Sequence, residues 1–302
     1  MMKSHMFTSK RIATVALSAL TSLLAASAAN AQAAWQTETI KGVVFVKPKG
    51  PNYTDKIDFA ELEAKFPVNR EALKSWTGDD IVALRKNADY LDQLYARLTA
   101  GPVPTGPYWG RIVFQPEDGM EGIARRFLPI DLLIGPKFEL VRKFGEFLWN
   151  GKHFYPREGV LRNLISDGVV ERGLLRTISW GLFFREPHLE NSPRSTVDGK
   201  KYIEMFPAKL YCGQSLLDSR RESVIIDYAY GENIDQYNPD VDYLAGREGL
   251  AVRDEIRMVR PGLYLGRAYM QRFFGLVFVL ENSAEAKRGD ATESCWTGTQ
   301  GR

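Results

Sequence analysis

Asp227, Tyr228, Asp254, Glu255, Arg257, Tyr264, Arg267 and Tyr269 crowd the C-terminal third of the chain, on stretches that alternate like β-strands. Carboxylates beside guanidiniums and phenols can orient a ligand's polar end, or can supply a general base with a tyrosine as proton donor. Alternation decides which of them share a face. Asp254 travels with Ile256 and Met258, whereas Arg253, Glu255, Arg257 and Val259 form the opposite row. The first row is the more apolar, so Asp254 is expected to point inward and the Arg253, Glu255, Arg257 row to form an outward charge ladder. Asp227 likewise opposes Val224, Ile226 and Tyr228. An inward carboxylate requires a partner, because burying one alone is costly, and Arg267 on the next strand is the expected one. His153, beside Phe154 and Tyr155, is a further candidate for this cluster.

Other chemistries find no pattern. Past the leader the only histidines are His153 and His188, with no metal-ligand spacing around them, so no metal site is expected. The acidic stretch from Tyr230 to Gly249 lacks the spacing of a calcium loop. There is no Gly-x-Ser-x-Gly elbow and no phosphate-cradling glycine loop, and no cofactor is expected. Cys212 and Cys295 are the two cysteines, a candidate disulfide that would tether the C-terminal tail and add about 4 kcal/mol on the chain-entropy account.

The chain opens with Lys3, Lys10 and Arg11, an uncharged apolar run from Ile12 to Ala29, and small-x-small steps at Ala29-Asn30-Ala31 and Ala31-Gln32-Ala33. That is the pattern of a cleaved signal peptide over 1–33, implying a periplasmic or secreted protein. Its removal takes three basic residues and no carboxylate from 40 Lys and Arg against 37 Asp and Glu, leaving a neutral chain. Nucleic acid is therefore not an expected partner.

The elements that must position the cluster follow in order. Region 34–101 reads as one strand (Trp35 to Lys47), a short helix from Asp58 to Phe66, and an amphipathic helix from Asp79 to Ala100 capped by Thr77. Gly101 to Pro107 is a linker. Region 102–282 reads as β-structure with a helical insertion over 120–149, whose apolar face could touch a membrane surface weakly. Candidate strands are Tyr108 to Phe114, Lys152 to Tyr155, Val160 to Ile165, Leu174 to Trp180, Tyr202 to Cys212, Ser223 to Ala229, and three more between Arg253 and Glu281. Residues 283–302 read as a polar tail. Short strands at regular spacing indicate an all-β barrel or sandwich rather than an α/β fold.

The blocks Gly151-Lys152-x-Phe154, Ser215-Leu216-Leu217-Asp218, Val224-Ile225-Ile226-Asp227-Tyr228, and Arg253-Asp254-Glu255-Ile256-Arg257 with Pro261-Gly262-Leu263-Tyr264-Leu265-Gly266-Arg267 resemble those of a group of bacterial and fungal exported proteins. The likeness spans about Tyr108 to Glu281 and implies a calycin-like barrel, of the kind that includes lipocalins and fatty-acid-binding proteins. The lipocalin opening signature is not met, since Trp109 stands one position late in Gly106-Pro107-Tyr108-Trp109. The fold expectation is thus mainly β, an antiparallel up-and-down calycin-like β-barrel after an α-helical N-terminal part. The expected function is binding of a small apolar or amphiphilic, lipid-like molecule whose polar end meets the Asp and Arg cluster. The alternatives are a cofactor-independent acid/base enzyme (lyase, isomerase or hydrolase) and an envelope-associated structural protein.

Overall fold

The computed structural model describes residues 35–50, 52–114, 148–168, 171–176, 187–270, 273–286 and 295. The signal peptide expected over 1–33 and the helical insertion expected over 120–149 lie outside these, apart from the last two residues of the latter.

Strands β1 (Thr37–Ile40) and β2 (Val43–Val46) form a hairpin. The single strand expected over this stretch is thus two, because Lys41 and Gly42 both take positive φ (44° and 78°) and turn the chain back. Helix α1 (Phe59–Lys65) starts where Asp58 accepts the amides of Ala60 and Glu61. A short helix α2 (Arg70–Leu73) follows. The long helix expected from Asp79 is broken in two. Helix α3 (Gly78–Ala83) opens with a capping box between Thr77 and Asp80, tightens into a 3-10 turn over Leu84–Lys86, and gives way at Asn87, whose extended backbone restarts the chain as α4 (Ala88–Arg97). Most of the apolar stripe survives this break: of Ile81, Leu84, Ala88, Leu91, Tyr95 and Leu98, all but the half-buried Ala88 belong to one buried cluster, which Leu94 joins.

The other strands are β3 (Gly106–Phe114), β4 (Trp149–Tyr155), β5 (Val160–Ser166), β6 (Arg194–Val197), β7 (Lys200–Gln214), β8 (Glu222–Asp227), β9 (Val252–Arg260), β10 (Leu263–Met270) and β11 (Phe273–Glu281). Each of β3, β4, β5, β7, β8, β9, β10 and β11 pairs antiparallel with the next, and β11 returns to β3, closing a ring of eight strands. The protein is therefore mainly β, with a closed up-and-down barrel of the calycin-like kind and a helical N-terminal part. Strand β6 is a hairpin arm on β7. Of the strand expected over Leu174 to Trp180, the described part is helical instead, within residues 171–176, and 177–180 lie outside the described residues. The apolar Leu174 and Leu175 that suggested a strand instead pack as one side of that turn against Leu148, Ile165 and Ile203.

Two apolar layers result. Inside the ring lie Tyr108, Phe154, Leu161, Ala208, Leu210, Val224, Ile226, Tyr228, Ile256, Tyr264, Ala268, Phe278 and Leu280. Outside, Val259, Leu263, Leu265, Val277 and Val279 are covered by the helices and by Phe45 and Trp76. The hairpin is fastened to α4 by Gln93, which donates to the Val46 carbonyl and accepts its amide.

Cys212 and Cys295 are bonded, closing 83 residues of sequence separation. Cys295 joins the interior cluster, and its amide donates to the Gly101 carbonyl. Reduction, or Cys212→Ser with Cys295→Ser, is expected to cost about 4 kcal/mol in urea unfolding; unchanged stability would mean that the bond constrains nothing.

Strand β7 changes parity at Phe206, whose φ of 53° marks a bulge in the pairing with β5. Asp242, in the loop after β8, holds this bulge by accepting the Phe206 amide at 2.6 Å and the Asn238 amide at 2.8 Å. Burial pushes its carboxyl up to about 6, against the two backbone donors and Arg162. A folded value above the unfolded one means that the stability Asp242 contributes is fully present below 3.8 and is lost as pH rises through about 6. Amide exchange of Phe206 and Asn238, corrected for intrinsic rates, is expected to be better protected at pH 5 than at pH 7; equal protection would remove Asp242 from this role.

Candidate functional site

Among the described residues, one buried cluster of charged and polar side chains stands on the inner wall of the barrel. Strand β9 brings Asp254 inward between Ile226 of β8 and Ala268 of β10, which stand opposite it in register. Strand β4 alternates Lys152 and Phe154 toward the interior, and β5 adds Asn163 opposite Lys152. Tyr228 reaches in from the end of β8, where the Asp227 carboxylate accepts the Ala229 amide and starts a 3-10 turn.

These side chains converge. Lys152 Nζ lies 2.8 Å from Asp254 Oδ2, 2.6 Å from the Tyr228 hydroxyl and 3.0 Å from Asn163 Oδ1. All three ammonium hydrogens thus have acceptors. Tyr228 donates to Asp254 Oδ2 at 3.1 Å and accepts from Asn163 Nδ2 at 3.0 Å, while Trp149 Nε1 donates to Asn163 Oδ1 at 2.9 Å. The rings of Tyr228, Phe278 and Trp149 sit 5.3, 5.4 and 5.5 Å from the ammonium, within cation–π range.

Two glycines make room for this box. A Cβ on Gly110 would lie 2.4 Å from the Trp149 ring, and one on Gly266 would lie 2.2 Å from the Phe278 ring. Both rings owe their place over Lys152 to a neighbouring strand that carries no side chain there.

The electrostatics are those of a dry interior. Burial pushes the Lys152 ammonium down, and the Asp254 carboxylate pulls it only part of the way back. Burial and the Asp254 charge together push the Tyr228 phenol well above its ordinary value, so it remains a hydrogen-bond donor. One valence stays open: Asp254 Oδ1 is buried and has no hydrogen-bond partner among the described residues, although the residue is only 4% exposed.

Of the residues singled out by spacing, Asp254, Tyr228 and Tyr264 face the interior. Tyr264 joins the apolar lining, and its hydroxyl donates to the Pro102 carbonyl. The expected Asp254–Arg267 pair is not formed. Arg267 stands opposite Glu255, and Ala268 opposite Asp254, so the guanidinium lies on the outer face; there it pairs with Asp92 and donates to the Tyr269 hydroxyl at 3.1 Å. The Arg253, Glu255, Arg257 row points away from the interior as expected, but Glu255 and Arg257 do not meet water. Helix α4 and the stretch between β7 and β8 bury both completely. Arg257 donates to the carbonyls of Tyr95, Asp218, Arg221 and Glu222 and lies 4.7 Å from the Tyr95 ring. Glu255 accepts the Leu216 amide at 2.8 Å. Both fasten the stretch between β7 and β8 to the barrel, and Arg257 also ties in α4 through the Tyr95 carbonyl.

Asp227 faces outward and accepts from the Tyr211 hydroxyl. His153 also faces outward, bonded to Glu204 at 2.8 Å with Tyr155 alongside, and takes no part in the interior cluster. The Glu204 carboxyl, although pushed up by burial, is held below its usual range overall by His153, Ser195 and Tyr155. Among the described residues no group of His, Cys, Asp and Glu is arranged to hold a metal.

Lys152, Asn163 and Trp149 were not singled out from the sequence. The signal available was alternation: Lys152 shares its row with Phe154, and Asn163 its row with Leu161 and Ile165.

Fold and site together define a closed antiparallel barrel with a buried lysine–aspartate pair boxed by aromatic rings. No family model, curated protein or solved structure matches this chain.

Removing one partner of a buried pair leaves the other charge uncompensated, whereas removing both does not. Asp254→Ala is expected to destabilise the protein by about 3–5 kcal/mol in urea unfolding. Lys152→Met combined with Asp254→Leu is expected to cost far less. Equal costs would show that the two charges are not coupled.

Proposed function

We propose that the protein is an exported carrier of a small, mostly apolar molecule, held inside the barrel with its polar end at Asp254. The observation that carries the reading is the unfilled Asp254 Oδ1. A buried acceptor left without a donor costs free energy, and such groups mark places where something else completes the bonding. Around it the wall offers what an apolar body needs: Ile226, Ile256, Ala268, Tyr264 and Phe278. The basic member of the polar cluster is Lys152 rather than an arginine, and it serves to fix Asp254 in place.

Export is supported by the basic and apolar leader of the chain and by the Cys212–Cys295 bond, since disulfides persist in oxidising compartments.

Native mass spectrometry of protein purified without detergent is expected to show a bound small molecule that organic extraction releases. Protein from the same preparation, once stripped, is expected to take up N-phenyl-1-naphthylamine with a rise in its fluorescence. Absence of any extractable species, together with no uptake of this probe, would overturn the proposal.

A further inference from the structure

The cluster around Asp254 restricts the chemistry of the polar end. Lys152 has three donors and three acceptors, so its ammonium has nothing left to offer a ligand. Asn163 donates through Nδ2 to Tyr228 and to the Phe206 carbonyl, and the Trp149 N–H is committed to Asn163. The Tyr228 hydrogen is committed to Asp254 Oδ2. Every donor in the box is spent. What remains is one acceptor, Asp254 Oδ1.

Charge narrows the choice further. Lys152 and Asp254 cancel, and they are the charged residues of this interior cluster. A carboxylate head group would place a second negative charge beside Asp254 with no free donor to receive it. An ammonium head group would satisfy Oδ1 but would bring an uncompensated positive charge into a dry site already holding Lys152. A hydroxyl donates one hydrogen bond and carries no charge.

Space agrees with this. Ala268, opposite Asp254, contributes only a methyl group to the interior. On the same face Val252 and Leu276 are half-buried. Asp254 therefore lies near one rim of the barrel, beside a small residue.

Resting on the binding reading above, we infer that the ligand is an uncharged amphiphile whose hydroxyl donates to Asp254 Oδ1, and that the barrel discriminates against fatty acids and alkylamines of the same chain length.

The test compares 1-dodecanol, dodecanoate, dodecylamine and dodecane as displacers of N-phenyl-1-naphthylamine from the full chain at neutral pH. Dodecanol is expected to displace the probe at a concentration lower by about tenfold or more than the other three, the size of effect that one satisfied buried acceptor produces. Dodecanoate or dodecylamine equal to or better than dodecanol would overturn the inference while leaving the carrier reading intact. Dodecane equal to dodecanol would do the same by removing any role for the head group. Failure of all four to displace the bound probe would overturn the inference, whereas failure of the probe itself to bind, with no extractable species, would overturn the carrier reading. Lys152→Met with Asp254→Leu, which removes both charges and leaves no acceptor oxygen at position 254, is expected to lose the preference for the alcohol while still binding the probe. A preference that survives in that variant would show that Asp254 is not the group that reads the hydroxyl.

Discussion

Closing eight strands into a ring leaves the barrel wall without a free edge and withdraws the middle of its interior from water, and the rest of the molecule answers to that enclosure. Any polar group on the inner face must find its partner across the ring. Asp254 on β9 finds Lys152 on β4, with Tyr228 and Asn163 completing three contacts to the ammonium. The pair is less a source of stability than a determinant of register. A slip of β9 by one residue would turn Asp254 outward and bring Glu255 or Arg253 into its place, breaking the geometry in which the ammonium meets Asp254, Tyr228 and Asn163 together.

The outer face of the same strand shows how one stretch serves two layers. Arg257 gathers four backbone carbonyls and stacks near Tyr95, while Glu255 takes the Leu216 amide, so the row opposite Asp254 holds the helical cover onto the barrel. Arg267 on β10 does the same toward Asp92 of α4. Consecutive charges on β9 thus have unrelated tasks, because a strand sends neighbouring side chains to opposite sides of a thin wall.

Much of this architecture is legible in local pattern. Alternation separates Asp254 from Glu255 and Arg257, turn residues delimit the closing strands, and Thr77 with Asp80 announces a helix start that the structure bears out. What is not legible is distant pairing. Arg267 is the cation that an unshifted hairpin would put on the face of Asp254, but a register shift at Leu263 and Tyr264 places Ala268 opposite Asp254, and the true partner comes from a strand on the far wall. The dryness of Glu255 and Arg257 is equally non-local: their row has the composition of a wet surface and is dry because α4 and the stretch between β7 and β8 lie on it. Asn87 broke the long helix without disturbing its stripe, since residues on either side still face one cluster.

The bond between Cys212 and Cys295 also orders events in time. Its second half comes near the end of the chain, after the last barrel strand, so Cys212 has no partner while β8 to β11 are being delivered. The two cysteines are the only ones in the chain, which leaves a single intramolecular pairing and no wrong isomer to be trapped. Oxidation therefore acts as a final seal: it records that the ring has already formed, and it joins β7 to the tail beside Gly101, where the helical part hands over to the barrel.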